Sequence, residues 1–396
     1  MFLFHPSNFL KKSYYVIPFG IIFISNILIT QLQGFEYIGQ LAIYIAGSSF
    51  LAIVMGMRWD VEILIGPQEH CLKNFYWGTF CSVTIFAVML IPFLFLKYNP
   101  VIFGFPYFEL LVSGLLIALI ELLLCIFLKR NKVLSYLLFR SLPYLVLLIL
   151  STLDLSPMIA WLWSLSATFL LLVALQMHFI SEALLKTSSN ALNIFSQIKI
   201  KTIPTLSAMI SNSIILFWLL YIQATHDSSV VGIWVNAYRI FGLPIALAGA
   251  ALMPYILNQF GSIESNNQKI ILMARFNFFL LIILCAALIY IAIFGKQTFI
   301  FLTDSKDLID KSILFIAAMI AFVQYSLQFW KDLFQSIRKD MIFLQIILLQ
   351  VILGIFCYFY QSTIPLNLIF IQILLIASFS YFILLLTILR LNRIYR

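Results

Sequence analysis

Charge is what this sequence has least of. Only 10% of its 396 residues are Asp, Glu, Lys or Arg, where a soluble globular chain carries about 25%. No long stretch is polar enough to form a separate soluble domain. A soluble enzyme, a nucleic-acid-binding domain and a disordered chain are excluded on that ground. Histidine is scarce as well: His5, His70, His178 and His226 all sit near the ends of apolar runs. There is no HExxH, no GxGxxG and no plausible Ser/His/Asp set. GKQT at 295–298 lacks the upstream glycine of a phosphate-binding loop. The five cysteines (Cys71, Cys81, Cys125, Cys285, Cys357) show no CxxC spacing. They read as small buried side chains rather than disulfides or metal ligands. No metal and no cofactor is expected. Large loops with catalytic groups are also missing. The most acidic loop, TDSKDLIDK, places Asp304, Asp307 and Asp310 at helical spacing among lysines, and reads as a solvated helix cap. These absences point to a transporter rather than an enzyme.

What is there is apolar length. Hydrophobic residues make up 63% of the chain, and the mean hydropathy is +1.06. Runs of about 20 apolar residues are the signature of membrane-spanning α-helices, because lipid offers no partner to an open backbone hydrogen bond. Barrel strands would alternate polar and apolar residues instead. The chain therefore reads as an all-α polytopic membrane protein. Breaks at polar and Gly/Pro clusters give twelve spans near 13–31, 39–57, 75–96, 108–128, 133–152, 158–177, 203–225, 230–256, 274–295, 312–330, 341–360 and 364–388. Lys11 and Lys12 before the first run mimic a signal peptide, but no small-residue cleavage site follows, so a retained first helix is expected.

With both termini placed inside, the inner segments hold most of the lysines and arginines. The outer segments hold only Lys97, Lys296, Lys306 and Lys311. That asymmetry predicts an N-in/C-in orientation. Tryptophans at 59, 77, 161, 163, 234 and 330 fall near span ends, as an aromatic belt at the interfaces would. The longest inner loop divides the spans six and six. It predicts two six-helix lobes around a central cavity, 1–180 and 203–396, joined by a cytoplasmic linker at 181–202. Around 178–202 the apolar spacing suits either a helix lying on the membrane surface or a plain linker.

Ionisable groups deep in a bilayer are costly and mark function. Arg239 lies roughly 14 Å into the eighth span, at about 1.5 Å per residue, and near the midplane. Arg140 in the fifth span and Glu121 in the fourth lie at matching depths of roughly 10 Å. The KRNK turn at 129–132 makes those two spans neighbours, so Glu121 and Arg140 are a candidate ion pair. Alternatively they line a wet cavity, where Glu121 carries a coupling proton. Arg239 shows no partner at its depth. A guanidinium facing a cavity there suits phosphate oxygens, which its fork can hold bidentately. Gly242 and Pro244, one turn beyond, are hinge or packing-kink candidates. Ser25, Asn26, Ser207, Ser211, Asn212 and Ser213 either face the cavity or bond between helices.

Two segments resemble a known family. MGMRWDVEILIG at 55–66 is similar to a motif ending the second helix of polysaccharide and O-antigen flippases (Wzx-like). SSVVGIWVNAYRIFGLPIALAGAALMPYIL at 228–257 is similar to their eighth helix, and TIPT at 202–205 also fits. Those proteins belong to the multidrug/oligosaccharidyl-lipid/polysaccharide exporter superfamily. Trp59–Asp60 and Gly66 depart from the usual residues. The resemblance implies a V-shaped two-lobe fold in a bacterial inner (cytoplasmic) membrane, working by alternating access. It implies an undecaprenyl-pyrophosphate-linked oligosaccharide as substrate, with the lipid tail left in the bilayer. On that reading Arg58 captures the pyrophosphate, Arg239 holds it near the midplane and Arg140 supports it. The implied protein partners are the polymerase and chain-length regulator of the same pathway; nucleic acid is not a partner. The competing readings are a polytopic enzyme of that pathway, such as an O-antigen polymerase or transferase, and a drug/cation antiporter of the same superfamily.

Overall fold

A computed structural model describes residues 17–394 apart from 96–100, 103, 131, 188–193, 261–262, 264, 305–310, 338 and 361–365. Lys11, Lys12, Asp307 and Asp310 lie outside the described residues, as does part of the segment between the sixth and seventh spans.

The architecture is all-helical and follows the twelve predicted spans. A helical segment, Ile17–Gly56, breaks at Gly34, whose φ of 80° and ψ of 177° only glycine takes without strain. The break separates α1 (17–33) from α2 (35–56). After α2 come a short helix α3 (Trp59–Ile65), then α4 (Cys71–Phe95), α5 (Tyr107–Lys129), α6 (Val133–Ser151) and α7 (Pro157–Thr187). The second half runs α8 (Ile194–Thr225), α9 (Ser228–Phe260), α10 (Asn266–Thr303), α11 (Lys311–Ser336), α12 (Asp340–Tyr360) and α13 (Leu366–Ile394). A two-stranded antiparallel ribbon, Val101–Ile102 with Phe105–Pro106, turns at Gly104 (φ 83°) between α4 and α5. The all-α reading did not include it.

The helices pack as two groups. In one, the Ile17–Gly56 segment lies on α5 and α6, and α7 closes on α5 and α6; in the other, α11 lies against α9, α10 and α13, and α12 against α8 and α13. The groups meet where α1 and α2 lie along α8 and α9. At 178–187 the chain is still helix, because α7 runs on to Thr187, and α8 has already begun at Ile194. Most of what reads as a loop is therefore helix extending beyond the apolar spans.

The outer surface is apolar. Phe301 is 82% exposed and Leu170 and Met177 are each 67% exposed, a pattern that suits lipid contact. The tryptophan expectation fails. Trp59, Trp77, Trp161, Trp234 and Trp330 are buried, and only Trp163 among those six is exposed. They fill gaps between helices near their ends, where large flat rings bury the most area. Cys71, Cys81 and Cys125 are free and buried as expected, whereas free Cys285 is exposed on α10.

The closest approaches at any described glycine cross the two groups. A Cβ added to Gly39 on α2 would lie 2.0 Å from the Ser228 carbonyl oxygen, and one on Gly232 of α9 would lie 1.9 Å from the Phe35 carbonyl oxygen. Backbone packs directly on backbone there, as small residues allow between membrane helices. Nearby, Asp227 caps α9 by accepting from Ser229 Oγ (2.6 Å) and Val230 N (2.9 Å), and these bonds hold its carboxyl below the usual carboxylate range. Gly39→Ala and Gly232→Ala each force the crossing apart and should cost about 3 kcal/mol or more. Thermal unfolding of the purified protein reads this out; an unchanged midpoint for both variants refutes the close crossing.

Candidate functional site

The face of α9 that begins at Gly232 continues through Asn236 to Arg239, at helical spacing of i, i+4 and i+7. The glycine crossing thus sets this face against α1. Asn236 Oδ1 accepts from Thr30 Oγ1 at 3.2 Å, and Arg239 Nη1 donates to Asn26 Oδ1 at 2.5 Å. Asn26 is itself oriented, because its Nδ2 donates to the Ile22 carbonyl at 2.7 Å. Arg239 therefore has a partner that its depth in the sequence did not reveal, and Asn26 is one of the polar residues that reading left open between cavity and bond. The partner is neutral. Among the described residues no carboxylate pairs with Arg239. A guanidinium removed from water with only an amide beside it keeps its full charge uncompensated, which favours an anion in the adjoining space.

That space exists on both sides. A cavity of about 350 Å³ is lined by Asn26, Glu121, Arg140, Tyr144, Trp161, Tyr238, Arg239 and Tyr325, among others. A second, of about 250 Å³, is lined by Asn212, Trp218, Trp234, Tyr238 and Arg239 with mostly aliphatic neighbours. A third, of about 390 Å³, extends toward the α2–α3 corner and is lined by Arg58, Asp60, Glu121, Tyr136, Arg140, Tyr325 and Asp332, among others. Aromatic rings form the walls near Arg239: Tyr238 and Tyr325 stack at 6.3 Å, and Tyr144 meets Trp161 edge-on at 5.3 Å.

Arg140 and Glu121 line the first and third cavities together. Arg140 donates to Tyr136 Oη, one turn back on α6, with its guanidinium 5.5 Å from that ring. The cavity placement accords with both sequence readings of Glu121, a partner of Arg140 and a carboxylate of a wet cavity. Gly242 packs under Ala321, whose Cβ would lie 2.5 Å from an added Cβ, and Pro244 is exposed; α9 is helical throughout this region.

Arg58 is not an exposed collector of anions. It is 8% exposed, sits in the left-handed region (φ 57°) between α2 and α3, and donates to Asp332 Oδ1 of α11 at 2.5 Å. One turn on, Glu62 pairs with Lys201 of α8, and that ammonium lies 5.1 Å from the Trp59 ring. Lys129 at the end of α5 donates to the Leu64 and Gly66 carbonyls (2.9 and 2.6 Å) and so closes the end of α3. Asp332 and Lys201 read in sequence only as charges at span ends; nothing in spacing links them to Arg58 and Glu62. Tyr136, Tyr144, Tyr238 and Tyr325 are not singled out by charge or spacing either, and tyrosine hydroxyls deep in apolar runs are the signal that finds them. No cluster of metal-ligating side chains occurs among the described residues.

No protein-family model and no curated protein matches this chain. Solved structures do. The MATE multidrug transporter DinF-BH, solved in complex with a ligand, aligns over 98% of this chain and 96% of its own, with a TM-score of 0.69 at 14% identity. A MATE in complex with MaL6 aligns over 97% of both chains, with a TM-score of 0.64 at 15% identity. A MOP superfamily transporter from Pyrococcus furiosus, whose reversed pocket polarity was taken to suggest a different function, aligns over 97% of this chain and 96% of its own, with a TM-score of 0.63 at 15% identity. At such identities the likeness is one of architecture: this is the two-lobe, twelve-helix fold of MATE transporters of the MOP superfamily.

The neutral partner of Arg239 makes a direct test. Asn26→Asp supplies the missing carboxylate and should raise the unfolding temperature while lowering affinity for anions. Asn26→Ala removes the bond and should cost about 1–3 kcal/mol. Equal thermal midpoints for the two variants overturn the assignment.

Proposed function

We propose that this chain is a membrane transporter that flips a lipid-linked anion, an undecaprenyl-pyrophosphate-linked oligosaccharide repeat unit, across a bacterial inner membrane by alternating access. The observation that carries the reading is Arg239: a guanidinium between two cavities at the lobe interface, held by an amide and left without a carboxylate. Arg140, one cavity wall away, adds a second cation where the pyrophosphate would sit. The resemblance of 55–66 and 228–257 to polysaccharide flippases supports the same substrate class. In this scheme the end that gathers Arg58, Lys129 and Lys201 faces the cytoplasm, and the sugar occupies the tyrosine-lined space while Asn26 holds Arg239 in place. Polymerase and chain-length regulator of the same pathway would receive the product.

A second reading, a drug/cation antiporter, has one observation in its favour. Glu121 presents a carboxylate to the same aromatic cavity, as a cation site or proton carrier would. The two readings separate on charge. Removing Arg239 disables anion transport, whereas removing Glu121 disables cation transport.

Deleting the gene in its host and analysing the undecaprenyl-linked intermediates tests the proposal. Complete single repeat units accumulating on the cytoplasmic leaflet support a flippase. Single units reaching the periplasm unpolymerised indicate a polymerase, and unchanged lipid-linked sugars with altered drug sensitivity indicate the antiporter. In the complemented strain, Arg239→Ala should lower surface polysaccharide about 30-fold or more, the effect of leaving a buried charged contact unmade. Arg239→Lys should retain part, because an ammonium replaces the bidentate fork. Normal polysaccharide with Arg239→Ala refutes the anion site.

A further inference from the structure

The α2–α3 corner is held to the opposite lobe by two charge pairs of opposite sense. Arg58 gives a cation to Asp332 of α11, and Glu62, four residues on, gives an anion to Lys201 of α8. The corner that carries them is strained. Met57 (φ 44°) and Arg58 (φ 57°) are two successive non-glycine residues in the left-handed region, which costs of order 1–3 kcal/mol each and persists only where surroundings hold it. Arg58 is also short of acceptors: its Nε is buried without a hydrogen-bond partner. The Arg58 and Asp332 side chains line the cavity that reaches inward to Arg140 and Glu121. A dianionic headgroup moving along that cavity meets a guanidinium already engaged by one carboxylate oxygen, with a donor to spare.

We propose that Asp332 is an internal stand-in for a phosphate-class anion at Arg58. Arrival of the substrate's phosphate exchanges Asp332 off Arg58, breaks one of the two cross-lobe pairs and lets the strained corner swing, opening this end of the cavity. Arg58 then acts as a switch read by substrate charge rather than as a passive anchor. The inference rests on the anionic-substrate reading, but its first arm needs no substrate.

The test uses the full-length protein in lipid vesicles, with its five cysteines changed to serine and Ser49→Cys added. Ser49 lines all three cavities. A membrane-impermeant maleimide is added on the face bearing the α5–α6 turn, and the labelling rate is followed by mass spectrometry. Asp332→Asn should raise the rate about tenfold, within the usual range of coupling between sites. The charge swap Arg58→Asp with Asp332→Arg should restore protection, which a merely misfolded variant would not. Should the cysteine-free background fold poorly, native Cys125, which lines the same cavity, serves as reporter in the wild-type background. Unchanged labelling in Asp332→Asn, or failure of the swap to restore protection, overturns the latch. In the second arm inorganic pyrophosphate should speed labelling of the Asp332-containing protein and leave Asp332→Asn unaffected. If the first arm succeeds and pyrophosphate changes nothing, anion exchange is refuted. The substrate reading itself is then still judged by the lipid-linked intermediates.

Discussion

The structure depends on one contact without charge or hydrogen bond: the crossing of α2 and α9 at Gly39 and Gly232. No side chain fits there, since an added Cβ would sit far inside van der Waals contact of a carbonyl oxygen, at 2.0 and 1.9 Å. Lipid supplies no hydrophobic force to drive helices together, so association rests on close van der Waals approach. Once the crossing is set, helical geometry does the rest. Asn236 and Arg239 lie one and two turns along the same face and are carried onto Thr30 and Asn26 of α1. The Gly34 break gives α1 and α2 different directions, so both can reach α9. A packing requirement thereby places a cation.

The cost of that cation explains its surroundings. An ionised group in a low-dielectric interior is expensive unless paired. Two cations at the α2–α3 corner are paired, Arg58 with Asp332 and Lys201 with Glu62. Arg239 is treated differently: an amide holds its geometry and leaves its charge available, and tyrosines together with Glu121 line the cavity it faces. The chain builds ion pairs between its two halves elsewhere, so the neutral partner at Arg239 leaves a position that, on the proposed function, receives an outside charge.

Much of this was readable in the sequence, for reasons that differ by feature. The twelve spans follow from composition alone, because the bilayer demands length and apolarity of each. Arg239, Arg140, Glu121 and Arg58 stand out as charges among apolar residues, and all four line the cavities. Pairing was not readable. Sequence proximity joined Glu121 to Arg140 through the α5–α6 turn, but nothing in it pointed to the bond that Arg140 donates to Tyr136, one turn back on its own helix. Asp332 lies far along the chain from Arg58, and only the meeting of the α2–α3 corner with α11 brings them together. The tryptophans misled for a related reason. Position near a span end fits both an interfacial belt and a gap between helices, and only tertiary packing separates the two.

The lobe interface is consequently unlike at its two ends. At the glycine crossing it is backbone against backbone, and no ion or ligand can exchange into a space too small for a methyl group. At the α2–α3 corner it is held by side-chain charges, one of them facing a cavity and on a strained backbone. Van der Waals contacts of the first kind are lost all at once when helices separate, whereas charge pairs of the second kind can be replaced one for one by an incoming anion at little net electrostatic cost. A substrate bearing phosphate can therefore act on the charged end and not on the glycine end. On the alternating-access reading proposed above, the glycine crossing serves as the fixed point about which the lobes turn, and its intolerance of any side chain keeps that point in place.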